Sequence, residues 1–149
     1  YDNDLILGLL IIDGSNDYDY FCHKYKTSNN IKDRFKYIIK NFENCTNKNF
    51  YSKENIKKLI YFSKKSNVID LLLFLVCYDK KTHISKVEEL IKYVEDCKIP
   101  KFPISGDILK KYGYETGEAL GKKLKSLEEK WVKNNFVIDK EIIKKFLPK

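Results

Sequence analysis

Apolar residues recur along almost the whole chain with a spacing near 3.6, and no convincing alternating run interrupts them. Asp4 is placed to cap a short apolar helix over residues 5–12, which Asp13-Gly14 would end. After a polar, aromatic stretch, Ser28-Asn29-Asn30 supplies N-cap residue types and opens a helix with Ile31, Phe35, Ile38 and Phe42 as its apolar stripe. Lys32, Arg34, Lys36 and Lys40 lie off that stripe, so one face is greasy and the other basic. Ser52 is expected to cap the next helix, with Ile56, Leu59 and Ile60 inside. Asn67 would begin residues 68–78, which are apolar nearly all round and therefore central to the core. Ser85 with Glu88 three residues on reads as a capping box ahead of Leu90, Ile91 and Val94.

The texture changes after Ile99. Pro100 and Pro103 restrict the residues before them to extended backbone, so Ile99-Pro100-Lys101-Phe102-Pro103 predicts a stiff connector. Four of the six glycines follow: Gly106, Gly113, Gly117 and Gly121. A short helix over 107–112 would close on a left-handed Gly113. Thr116 would cap a long helix to about Asn134, with Leu120, Leu124, Leu127 and Trp131 as its stripe. Asp139 would cap a last helix over 140–147. The pattern predicts an all-α, antiparallel helical array, with a body over residues 1–99 and a tail over 100–149 built on the four-glycine helix pair.

Composition sets outer bounds on this reading. At 149 residues and 43% hydrophobic content, the chain can bury a sizeable core as one domain or two small halves. No apolar run is long enough to span a membrane, and no basic start with a cleavage site precedes one, so the expected location is cytoplasmic. Methionine is absent even at position 1, which predicts a piece of something longer. Cys22, Cys45, Cys77 and Cys97 form no CxxC pair; Cys77 and Cys97 read as small core residues, and Cys22-His23 as a structural pair pointing apart on a helix.

The net charge of +8 is unevenly spread. Residues 1–23 carry five acids and no lysine or arginine, whereas residues 24–65 hold twelve bases against three acids and residues 101–149 twelve against seven. Basic blocks interleaved with Tyr and Phe suit a phosphate backbone. Wealth in Lys, Asn, Ile and Tyr also follows from AT-rich coding DNA, and a lysine-covered helix is commonly a solvated face. Charge alone leaves both readings open.

Thr116-Gly117 places backbone N–H groups at the positive end of a long helix, and Gly121 lies one turn later on the same face. A sugar–phosphate backbone could approach closely there, with Lys122, Lys123 and Lys125 following within two turns. Alternatively, the two glycines permit tight helix–helix contact. Catalytic signals are weak by comparison. Asp17-x-Asp19 follows Gly14-Ser15 after one residue, leaving no helix and strand between them as a two-metal nucleotidyl-transfer site requires. His23 and His83 have no evident nucleophile beside them, and no phosphate-cradling glycine motif occurs. No catalytic residue, metal or cofactor is therefore expected in this chain.

The run Phe102-Pro103-Ile104-Ser105-Gly106-Asp107-Ile108-Leu109, continued by Gly113, Gly117, Gly121, Leu124, Leu127, Glu128 and Trp131, resembles the body and tail of bacterial class II tRNA nucleotidyltransferases, the CCA-adding enzymes and their poly(A) polymerase relatives. With Trp131-Val132 and Asn135-Phe136 it is most similar to the alphaproteobacterial type. Ser28 to Phe35 resembles the family's basic helix start, and residues 57–72 the helix pair after it. Thr116 stands where the family usually has proline. The resemblance implies an RNA-binding C-terminal region that grips tRNA through Lys32, Arg34, Lys36, Thr116, Gly117, Gly121, Lys122, Lys123 and Lys125. It implies too that Mg2+ and CTP or ATP belong to a catalytic head absent here, supplied by the same or a separate chain. A helical protein-interaction scaffold, or a helix-hairpin-helix that binds DNA without sequence preference, are the rival expectations.

Overall fold

The computed structural model describes residues 2–13, 15, 17–47, 49–79, 83–111 and 113–137. Among these residues the secondary structure is helical throughout: α1 (Asn3–Ile11), α2 (Asp17–Lys24), α3 (Asn29–Phe42), a 3-10 turn (Glu43–Thr46), α4 (Lys53–Phe62), α5 (Lys65–Tyr78), α6 (Ile84–Asp96), α7 (Gly106–Lys111) and α8 (Glu118–Lys133). The chain divides into two compact units at Cys97/Lys98, two residues before the change of texture read from the prolines.

α5 organises the first unit because its apolar side chains point both ways. Leu71, Phe74 and Leu75 join Ile12, Cys22, Phe35, Ile38 and Phe50 in one core. Val68 and Leu72 join Ile56 and Ile60 of α4 and Val87, Leu90 and Val94 of α6 in another. The stripe expected on α3 is the one used, with Phe35 and Ile38 buried and Ile31 and Phe42 partly so. Gly8 of α1 lets that helix lie close on α3, since a Cβ there would come within 3.0 Å of the Phe35 ring.

Several helix starts differ from expectation for local reasons. Asp2, extended at φ −93°, caps α1 by accepting from the N–H groups of Asp4 (3.0 Å) and Leu5 (3.1 Å), so Asp4 sits inside the first turn. The polar, aromatic stretch after Ser15 folds as α2, because Tyr18 and Cys22 recur at helical spacing and pack on the first core. α5 begins at Lys65, ahead of Asn67. α6 begins at Ile84, which puts Ser85 within the first turn where it cannot act as the cap. Cys77 is exposed rather than in the core, on the outer side of α5, while Cys22 is buried and His23 exposed as their adjacency requires.

Ser28 and Ser52 do cap α3 and α4, accepting from the N–H groups of Ile31 (3.3 Å) and Asn55 (3.2 Å). Ser52→Ala removes the acceptor for an orphan N–H and should cost about 1 kcal/mol. Chemical denaturation followed by circular dichroism would measure it, and no loss would mean that another group caps α4.

The second unit packs α7 on α8. Leu109, Leu120 and Leu127 form its centre, with Phe102, Ile104, Tyr114 and Leu124 around them. Gly113, at φ +87°, ends α7, and its N–H and that of Tyr114 return to the carbonyls of Lys110 and Leu109. At the far end of α8, Trp131 packs between Phe102 (5.3 Å) and Phe136 (5.0 Å, edge on). The helix expected over 140–147, with its Asp139 cap, lies outside the described residues.

Candidate nucleic-acid interface

The basic residues singled out in the sequence fall into two groups, one on each unit. In the first, α3 holds Lys32, Arg34 and Lys36. Lys36 is exposed. Lys32 is half-buried and pairs with Asp19 of α2 at 3.0 Å, and this carboxylate raises the pKa of the ammonium.

Arg34 is differently placed. Its Nε and Nη2 donate to the two oxygens of Asp70 on α5 at 2.8 and 3.0 Å, a bidentate grip. Nη2 also donates to Asp2 at 2.5 Å, and Nη1 to Asp2 and Asp4 at 3.3 Å. The side chains of Arg34 and Asp70 are only 16% and 13% exposed. Three carboxylates thus surround the guanidinium, and it ties α1 and α5 to α3 instead of lying on an open basic face. Its own pKa is raised by Asp70 first and Asp2 second, while the Asp2 carboxyl is held below the usual range chiefly by its bond to Arg34. A polar cleft of about 300 Å3 opens beside this cluster, lined also by Asn30, Lys64, Ser66 and Asn67.

The second group surrounds the start of α8. The cap position is taken by Gly117, not Thr116, and no side chain caps the helix. Thr116 is exposed and its hydroxyl gives no cap bond, because the turn into the helix is made one residue later. Gly117 has φ +152° and ψ −170°, a backbone region open essentially to glycine alone. The N–H groups of the first helical turn have no intrahelical acceptor.

A Cβ added at Gly117 or Gly121 would meet nothing within 4 Å. Among the described residues neither glycine therefore serves close helix packing, and the first turn of α8 presents bare backbone. Lys122 is exposed and pairs with Glu118 at 2.7 Å. Lys125 is exposed, and Lys123 is half-buried with its ammonium 5.9 Å from the centre of the Tyr114 ring. The arrangement offers backbone donors, a helix dipole and three ammonium groups to an anion.

The family model described as "tRNA nucleotidyltransferase domain 2 putative" matches residues 4–147. The chain belongs to this family. Among curated proteins, a CCA tRNA nucleotidyltransferase 1, mitochondrial, of Danio rerio is 38% identical over 66 residues, covering 38% of this chain and 15% of the relative. The Homo sapiens protein of the same description is 32% identical over 60 residues, covering 40% of this chain and 14% of its own length. The similarity thus spans about one seventh of those proteins. No solved structure matches the chain at a significant level.

Membership of the tRNA nucleotidyltransferase family agrees with the resemblance carried by the glycine-rich run, and the all-helical body and tail agree with the fold it implied. No described helix is long and apolar enough to cross a membrane. Nothing in the sequence marks Asp2 as a partner of Arg34, whereas Asp70, a lone acid inside the apolar run of α5, signals that a cation must meet it.

Proposed function

We propose that this domain is the tRNA-gripping region of a CCA-adding nucleotidyltransferase, holding the RNA backbone while a catalytic head outside this chain extends the 3′ end. One observation carries the reading: the uncapped start of α8, where two glycines leave the backbone open beside Lys122 and Lys125. A phosphodiester accepts hydrogen bonds from N–H groups in that position and gains from the dipole. The Lys122–Glu118 pair is largely exposed and exchanges easily for a phosphate. Thr116 and Lys123 flank the same turn, and Lys32 and Lys36 supply a second cationic row on the first unit. Arg34 is left out, since carboxylates already occupy its donors.

The Mg2+ ions and the CTP or ATP of the family reaction belong to the head. Asp17 and Asp19 do not fit a two-metal centre, because they share the first turn of a helix and Asp19 is engaged with Lys32. Polyadenylation would use the same grip and differ only in the head. With its cysteines free, the domain suits a reducing compartment, and the proposal puts it in the cytoplasm.

Fluorescence anisotropy with folded tRNA, titrated between low and physiological salt, tests the reading. Affinity should fall steeply with salt, and Lys125→Ala should lower the log–log slope by about 1. Absence of tRNA binding at low salt, or binding that ignores salt, would overturn it. Equal affinity for duplex DNA would instead favour a sequence-independent DNA module.

A further inference from the structure

The C-terminal half of α2 reads Tyr20-Phe21-Cys22-His23-Lys24, followed by Tyr25-Lys26. Cys22 anchors this turn in the core, and Tyr20, His23, Lys24 and Tyr25 are exposed. Tyr20 and Tyr25 are 67% and 61% exposed, more than almost any other large hydrophobic side chain described. The Lys24 ammonium lies 5.7 Å from the centre of the Tyr20 ring and 5.6 Å from that of Tyr25, so one cation serves two rings. Phe21 backs Tyr25 at 4.6 Å and 38°.

Lys26 adds a second anomaly. It follows α2 at φ +51°, in the left-handed conformation where glycine is the usual residue. The closing bonds, from Thr27 N–H to the Cys22 carbonyl (3.1 Å) and from Lys26 N–H to that of His23 (3.4 Å), are those of a helix-ending motif that glycine satisfies with less strain. A lysine there keeps a positive charge next to Tyr25 in the chain, at some cost to the fold.

We infer that the end of α2 is a second RNA site, at which Tyr20 and Tyr25 stack unpaired bases while Lys24 and Lys26 neutralise the adjoining phosphates. The inference rests on the RNA-binding reading above but uses different residues and a different chemistry. Exposed rings with interleaved ammonium groups fit bases whose π faces are free, and a duplex hides those faces. The start of α8, by contrast, offers only backbone and charge.

The test compares hexaadenylate RNA with an RNA duplex, both bound to the full 149-residue chain. Tyr20→Ala combined with Tyr25→Ala should weaken hexaadenylate binding about tenfold or more and leave duplex binding unchanged. Tyr20→Leu with Tyr25→Leu, which keeps the apolar area, should do the same with an unaltered circular dichroism spectrum. Lys26→Gly should raise the melting temperature and lower the salt slope for the single strand by about 0.7. Intact binding in both tyrosine variants, or an equal loss on duplex and single strand, would overturn base stacking and leave the α8 reading standing. A wild-type chain that binds no RNA would overturn both.

Discussion

Arg34→Met is expected to destabilise the first unit by about 3 kcal/mol, the largest effect of any single substitution considered. Methionine preserves the length and apolar stem of the side chain but leaves Asp70 nearly buried without a cation. The penalty comes from that stranded carboxylate more than from the lost attraction. Replacing Asp70 by leucine in the same protein should therefore recover most of the loss. Urea unfolding of the two variants and the wild type gives both numbers; a cost below about 1 kcal/mol in the single variant would mean that water reaches Asp70 easily. The pH dependence has a definite sign. The folded pKa of Asp2 lies below the ordinary 3.8, so its share of stability is complete above that value and disappears as pH falls through the lowered one. The gap between wild type and Arg34→Met should narrow as pH falls into the acid range, as protonation relieves the carboxylate left without a cation and removes the share that Asp2 contributes. The same variant should leave the salt slope for tRNA unchanged, since Asp2, Asp4 and Asp70 already take the donors of Arg34.

Why the sequence misplaced Arg34 while finding its helix follows from what periodicity encodes. Spacing on α3 separates an apolar stripe from the rest, and Arg34 lies outside the stripe as expected. Periodicity does not say what packs against the flank of that stripe, and here α1 and α5 bring three carboxylates to it from 30 or more residues away. Helix existence was legible for the same reason in reverse: α3, α4, α6 and α8 each carry a one-sided apolar face, a local property. α2 was missed because its buried side is only Tyr18 and Cys22, too thin a stripe to stand out among acids and tyrosines. Helix starts were legible where one serine preceded the first turn. They were not legible where capping candidates competed, as with Asp2 against Asp4, or where the cap is a glycine that gives no side-chain signal. At the start of α8, the glycines were visible as a pattern, but only the surrounding space distinguishes close packing from an open backbone.

That distinction yields a substitution with two opposed effects. Gly121 lies inside α8 with ordinary helical backbone and no neighbour for a Cβ. Gly121→Leu should therefore stabilise the second unit, by up to about 0.8 kcal/mol, through helix propensity alone. If the first turn of α8 receives a phosphate, the same side chain stands in the path of the RNA backbone one turn from Gly117. Loss of a single charge-assisted hydrogen bond, about 2 kcal/mol, corresponds to a roughly 30-fold weaker affinity for tRNA. Gly121→Ala should gain stability similarly and lose less affinity, because a methyl group blocks less of the approach. Thermal unfolding and anisotropy titrations on the three proteins separate the cases. Greater stability with weaker binding, graded by side-chain size, is what an exposed backbone site requires. Greater stability with unchanged binding would remove the start of α8 from the interface, with Lys122, Lys123 and Lys125, and leave the RNA-binding proposal resting on Lys32 and Lys36 of α3. Lower stability would mean that Gly121 is held against another surface after all, and the space around it would no longer argue for a ligand.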